Sequence, residues 1–169
     1  MAKNEGKKFE EDFKKSVPDD IYYYRLRDSG SAFGGGSEHL RFTISNKYDC
    51  YIYKKPNFYP IELKSTKSTS MSIQHDKEEK GKMIKLNQID GLTEASEHDG
   101  IHAGFLFNFR SNKNNTYWLN IKDFNKFNDN TDKKSINEKD VIEHNGIFIK
   151  SEIKRVRYKY YINEFIENF

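Results

Sequence analysis

Residues 47–66, KYDCYIYKKPNFYPIELKST, constrain the fold more than any other stretch of the chain. Two runs rich in Tyr, Ile and Phe flank KKPN, where Pro56 and Asn57 suit the centre of a turn, so the segment predicts a β-hairpin. Successive side chains of a strand point to opposite faces, which sets Glu62 and Lys64 on one face and Ile61 and Leu63 on the other. The same alternation separates Asp49, Tyr51 and Tyr53 from Cys50 and Ile52. If the loop is Pro56-Asn57, Asp49 falls opposite Lys64; if it spans residues 54–57, Asp49 falls opposite Glu62. Both loops gather Asp49, Glu62 and Lys64 on one face, whereas an odd-length loop would separate them.

Carboxylates side by side repel unless a cation lies between them. A hard divalent ion such as Mg²⁺, with Mn²⁺ as the alternative, takes carboxylate oxygens and keeps waters for a phosphate and a nucleophile. Lys64 beside such an ion can orient or deprotonate the attacking water and offset charge on a phosphorus-centred transition state. The triplet therefore suits metal-assisted phosphodiester hydrolysis. The competing reading is an exposed Glu-x-Lys surface pair, which contributes little.

Outside the hairpin, GKKFEEDFKKSV spaces Phe9, Phe13 and Val17 as one face of a helix that Pro18 stops. IYYYRLR reads as a strand, and the glycine- and serine-rich segment at about residues 28–42 as a flexible loop. Residues 82–96 carry Met83, Leu86, Ile89 and Leu92 at helical spacing despite Gly91. IHAGFLFNF and TYWLNI read as strands, EKDVIEH as a short helix, GIFIKSEI as a strand and YINEFIENF as a closing helix. This order predicts one α/β domain spanning residues 1–169, with a mixed central β-sheet flanked by helices.

With 29 basic and 26 acidic residues, any affinity for nucleic acid depends on where the charges sit. The lone Cys50 excludes an internal disulfide and argues against a structural metal site. The charged N-terminus lacks a signal-peptide core, and no apolar run approaches the ~20 residues of a membrane span, so a soluble cytoplasmic protein without a membrane partner is expected. The histidines lack HExxH spacing, and GxSxG, GxGxxG and GxxxxGK[ST] are absent, which weighs against zinc hydrolases of that type, serine hydrolases and nucleotide-binding loops. Usage rich in Lys, Asn and Ile fits an AT-rich genome such as that of a phage or mobile element.

Asp49 followed by Glu62-Leu63-Lys64 resembles the D-(E/D)xK active site of the restriction-endonuclease-like, or PD-(D/E)xK, nuclease superfamily. Within it the chain resembles the RecU family of Holliday junction resolvases along most of its length. ELKSTKSTS is similar to that family's E-x-K followed by Thr and Ser, LNQIDGL to its glutamine helix, with Asn87 where the family usually has His, and GKKFEEDF to its N-terminal helix. GFLFNF, TYWLNI and KKSI follow in the family's order. In place of the family's long basic stalk stands the short SGSAFGGGSEHLRF. The resemblance implies a restriction-endonuclease-like fold, generally a homodimer, that cuts four-way or branched DNA. It further implies Asp49 and Glu62 as metal ligands, Lys64 as the catalytic lysine, and Gln88 and Glu10 as helix residues assisting the site.

Contacts to DNA are expected from Arg25 and Arg27, which share a face of YYYRLR, from Lys67 and Thr66 after the catalytic strand, and from Lys85, placed on Gln88's helix. The aromatic and basic runs YYYRLR and KRVRYKYY either face nucleic acid or simply line strands.

Overall fold

The computed structural model describes residues 5–26 and 46–168; Arg27 and the glycine-rich stretch at 28–42 fall outside them. In chain order the elements are α1 (Glu5–Ser16), β1 (Tyr22–Arg25), β2 (Cys50–Lys54), β3 (Asn57–Thr66), β4 (Ser70–Ser72), α2 (Leu86–Ala95), β5 (Gly104–Phe109), β6 (Asn115–Asn120), α3 (Ile121–Asp129), β7 (Ser135–Asn137), α4 (Glu138–Glu143), β8 (Ile147–Phe148), β9 (Ser151–Lys154), β10 (Arg157–Tyr160) and α5 (Ile162–Ile166). Strands β1-β2-β3-β5-β6-β8 form a central sheet in that order. The β3–β5 pair is parallel and its other pairs are antiparallel, so the sheet is mixed and flanked by helices, as the sequence implies.

A parallel pair needs a crossover, and here α2 supplies it. One sheet face packs Phe105, Phe107 and Leu119 against Ile89 and Leu92 of α2 and Phe124 of α3. The other packs Ile61, Leu63 and Trp118 against Phe9 and Phe13 of α1 and Phe165 of α5. Covered on both faces, β5 buries every residue of GFLFNF, which is why it reads as a continuous apolar run rather than an alternating one.

The hairpin closes between Lys54 and Asn57, with Lys55 and Pro56 at the turn. Its register, including Tyr53 opposite Phe58, is that of the 54–57 alternative and extrapolates to Asp49 against Glu62. The helix expected over residues 82–96 starts later, at Leu86, because Ile84 forms a bridge with Ile73 and its backbone is spent there. Gly91 has a packing reason: a Cβ there would lie 2.4 Å from Lys47 Cβ, so glycine lets the segment leading to Asp49 lie against α2.

GIFIKSEI is not one strand. β8 joins the central sheet through Tyr117 and Trp118, whereas β9 turns away to pair with β10. The spacing of Ile121, Phe124 and Phe127 carries the helical period of α3, which Asn120 caps by accepting from the Lys122 N–H, though the preceding strand pattern masks it.

Candidate active site

Asp49 lies in a bend just before β2, held by backbone bonds to two neighbouring strands. Its N–H donates to the Ile61 carbonyl at 3.1 Å and its carbonyl accepts from the Leu26 N–H at 2.9 Å. Its Oδ2 accepts from the Leu63 N–H at 2.8 Å. Glu62, in the middle of β3, is 2% exposed. Lys64 Nζ sits 2.8 Å from Glu62 Oε1. The same oxygen accepts from Gln88 Nε2 at 2.5 Å. Gln88 also caps its own helix, its Oε1 accepting from the Lys85 N–H at 3.0 Å. The β3–α2–β5 crossover therefore delivers Gln88 to the face that carries Glu62 and Lys64.

The Asp49 and Glu62 carboxyl groups lie near enough to act on one another's protonation. Burial pushes Glu62 up to about 7, with Asp49 adding to the rise and the Lys64 ammonium opposing it. Burial also raises Asp49, against the Leu63 N–H and the positive charges of Lys64 and Arg25. Two carboxyls in a low-dielectric site thus disfavour carrying two negative charges at once, a conflict that a proton on Glu62 relieves. A divalent cation resolves the same conflict by replacing that proton.

The donor set fits a hard ion. Two carboxylates supply oxygen ligands, and no group of three or more His, Cys, Asp or Glu suited to a metal occurs among the described residues, so an ion held here would keep several waters. That is the coordination habit of Mg²⁺ rather than of a structural zinc site.

Glu10, on α1, pairs with Arg25, whose Nη2 lies 2.7 Å from Glu10 Oε2. Arg25 thereby links Glu10 to the electrostatic field at Asp49. Thr66 is buried and its Oγ1 accepts from the Ser68 N–H at 3.0 Å. Lys67 and Lys85 are exposed. In KRVRYKYY, Arg157 is engaged by Glu11 at 2.9 Å and Asp12 at 3.0 Å, and Tyr160 is buried, so this run largely joins α1 to the β9–β10 ribbon.

Around the hairpin, Tyr22, Tyr24 and Tyr53 are exposed large aromatics. Tyr24 stacks on Tyr51 at 5.4 Å, and Tyr51 meets Phe58 at 4.7 Å. They form a contiguous aromatic surface on the face that Tyr51 shares with Glu62. Sequence reasoning passed over Asp12 and Arg110. The signal for Asp12 was its position among Phe9, Phe13 and Ser16 on the buried side of α1.

No family model matches the chain. The chain belongs to the family of a prophage protein with which it shares most of its length. That relative is the SPbeta prophage-derived uncharacterized protein YotM of Bacillus subtilis (strain 168), 35% identical over 175 residues that cover 96% of this chain and 85% of YotM. Among solved structures, Hjc, a Holliday junction resolvase from the archaeal hyperthermophile Archaeoglobus fulgidus, is similar with a TM-score of 0.44 and 13% identity, covering 76% of this chain and 83% of that chain. No helix of the described residues is long and apolar enough to cross a membrane.

Proposed function

We propose that this chain is a divalent-metal-dependent DNA endonuclease, a homodimeric Holliday junction resolvase that cuts four-way or branched DNA. The observation that carries the reading is the convergence of Asp49, Glu62, Lys64 and Gln88 from three separate elements onto one buried carboxyl pair. A purely structural cluster has no need for two carboxyls forced together beside a lysine.

Asp49 and Glu62 would hold Mg²⁺ or Mn²⁺, which when bound supplies Lewis-acid polarisation of a phosphate oxygen and lowers the pKa of a bound water. Glu62 would hold the ion as the carboxylate. Gln88 fixes the rotamer of Glu62 through Oε1, and Asp49 is fixed by the Leu63 N–H. Lys64 orients the attacking water and offsets charge at the scissile phosphate. Glu10 acts through Arg25, setting the charge beside Asp49.

The exposed tyrosines near this site support a branched substrate, because unpaired bases stack on aromatic rings. The prophage origin of the relative accords with action on phage DNA. Two-fold symmetry would present two sites to the two strands that a symmetric junction cut requires. A second reading, an endonuclease of the same superfamily without junction preference, is favoured by the short SGSAFGGGSEHLRF where the resembled family has a stalk.

The test compares wild type and Lys64→Ala on four-way junction, linear duplex and single strand, with Mg²⁺ and with chelator. Symmetric nicking of the junction alone, abolished by the substitution and by chelator, is the expected result. Equal cutting of duplex favours the second reading. DNA binding without cleavage by wild type in Mg²⁺ and in Mn²⁺ would leave a non-catalytic binding module and overturn both.

A further inference from the structure

Strands β3 and β5 run parallel and end side by side, where the Arg110 N–H donates to the Thr66 carbonyl at 2.9 Å. Ligands of α/β sheets gather at such carboxyl ends, where two chains leave the sheet together. Here a cavity of about 200 Å³ opens between them and the first turns of α1. Lys8, Lys67 and Arg110 line it. Arg110 Nε and Nη1 are sealed from solvent and make no hydrogen bond. Buried guanidinium donors that make no hydrogen bond are costly, and the oxygens of an anion would satisfy them. Two carboxylates also line the cavity. Asp12 is satisfied by Arg157 Nη1 at 3.0 Å and by the Tyr158 N–H at 3.2 Å. Glu5 lies 3.4 Å from Arg110 Nη1, without hydrogen-bond geometry, on the first turn of the helix.

We propose that this cavity is a phosphate-binding subsite that takes one backbone phosphate of the DNA strand cut at Asp49 and Glu62, with Arg110 as the fork-shaped donor and Lys8 and Lys67 as flanking charges. It rests on the endonuclease reading. A guanidinium presents paired donors that match phosphate oxygens, which two lysines alone would not. Lys67 follows Lys64 by three positions, about 10 Å along an extended chain, or roughly three nucleotide steps of a strand. The cavity lies on the α1 side of the sheet and the carboxyl pair on the α2 side, so a strand held here would be led around the end of β3 toward the reacting centre. Glu5 occupies the neighbourhood of Arg110 when no phosphate does, and it yields to one.

The test uses the full chain without metal. Arginine Nε–Hε resonances are followed by NMR while inorganic phosphate or a short DNA duplex is added, and DNA affinity is measured across salt concentrations for wild type, Arg110→Gln, Lys67→Gln and Glu5→Gln. Both ligands should move the Arg110 resonance. Arg110→Gln should weaken DNA binding about tenfold, and Arg110→Gln and Lys67→Gln should each lower the slope of log affinity against log salt by about one. Glu5→Gln should tighten binding severalfold. Unchanged affinity and slope in both basic-residue variants overturn the proposal. A resonance moved by inorganic phosphate but not by DNA overturns the DNA assignment and leaves a site for free phosphate. If Arg110→Gln fails to fold by circular dichroism, Lys67→Gln and Glu5→Gln, with opposite expected signs, decide alone. Failure of the endonuclease reading is seen separately, as wild type that cleaves no DNA in Mg²⁺ while these shifts persist.

Discussion

Asp140 and Glu62 are each 2% exposed, yet the chain treats the two carboxylates in opposite ways. Asp140 lies in α4 inside a capping box: its Oδ2 accepts from the Asn137 N–H at 3.0 Å, its Oδ1 from Lys133 Nζ at 2.5 Å, and its own N–H donates to Asn137 Oδ1. Both of its carboxylate oxygens thus have a hydrogen-bond donor, one of them a lysine. Glu62 has a lysine and an amide on one oxygen and a competing carboxyl beside it. A buried charge is tolerated where hydrogen bonds and an opposite charge compensate it. Asp140 meets that condition and caps a helix. Glu62 meets it only in part, and the unresolved remainder is what a metal ion would complete.

The largest expected separation between the two sites is in activity. Lys64→Ala should lower cleavage by about three orders of magnitude, as loss of a transition-state charge partner does, while DNA affinity changes little. Asp140→Asn should leave the cleavage rate of folded protein unaltered and lower stability by about 3 kcal/mol, read by chemical denaturation. Equal loss of activity in both variants would dissolve the contrast.

Next is the response of metal-free stability to pH. Glu62 titrates near 4.5 when unfolded and at about 7 when folded, so the native chain binds a proton that the unfolded chain releases in that window. Native stability from this group is therefore fully present below about 4.5 and falls as pH rises toward 7, by at most about 3 kcal/mol. Glu62→Gln should flatten that slope in denaturant titrations between pH 5 and 8, whereas Asp140→Asn should leave it in place.

A smaller effect is expected at Gln88. Gln88→Ala removes a donor to Glu62 and the cap acceptor for the Lys85 N–H, so cleavage should slow about tenfold and stability should fall by about 1 kcal/mol. The midpoint of the pH–rate profile should move upward, because the charged form of Glu62 loses a hydrogen bond. Gly91→Ala should act least directly. Its Cβ would press on Lys47 and displace the segment that carries Asp49, reducing cleavage severalfold with little change in helix content by circular dichroism.

Much of this was legible because strand alternation is a strict geometric rule. The facing of Glu62 and Lys64 followed from their spacing, and Asp49 joined them once the turn closed between Lys54 and Asn57. Gln88 was legible only through resemblance, since no local pattern tells which sheet face a crossover helix will cover. The use of Arg157 by Asp12 depends on a contact across 145 positions. Arg110 escaped notice because its unmet donors exist only in the packed structure. GIFIKSEI read as one strand because its apolar pattern continues through the point at which the backbone leaves the sheet.

The central claim, that Asp49 and Glu62 form one divalent-metal site, is tested most directly by titrating Mn²⁺ into wild type, Asp49→Asn and Glu62→Gln by calorimetry at pH 6 and pH 8 in buffers of different ionisation enthalpy. The account predicts one ion per chain, tighter binding at pH 8, close to one proton released at pH 6, and loss of binding in either variant. An isotherm indifferent to both substitutions, or binding without proton release at pH 6, would contradict it.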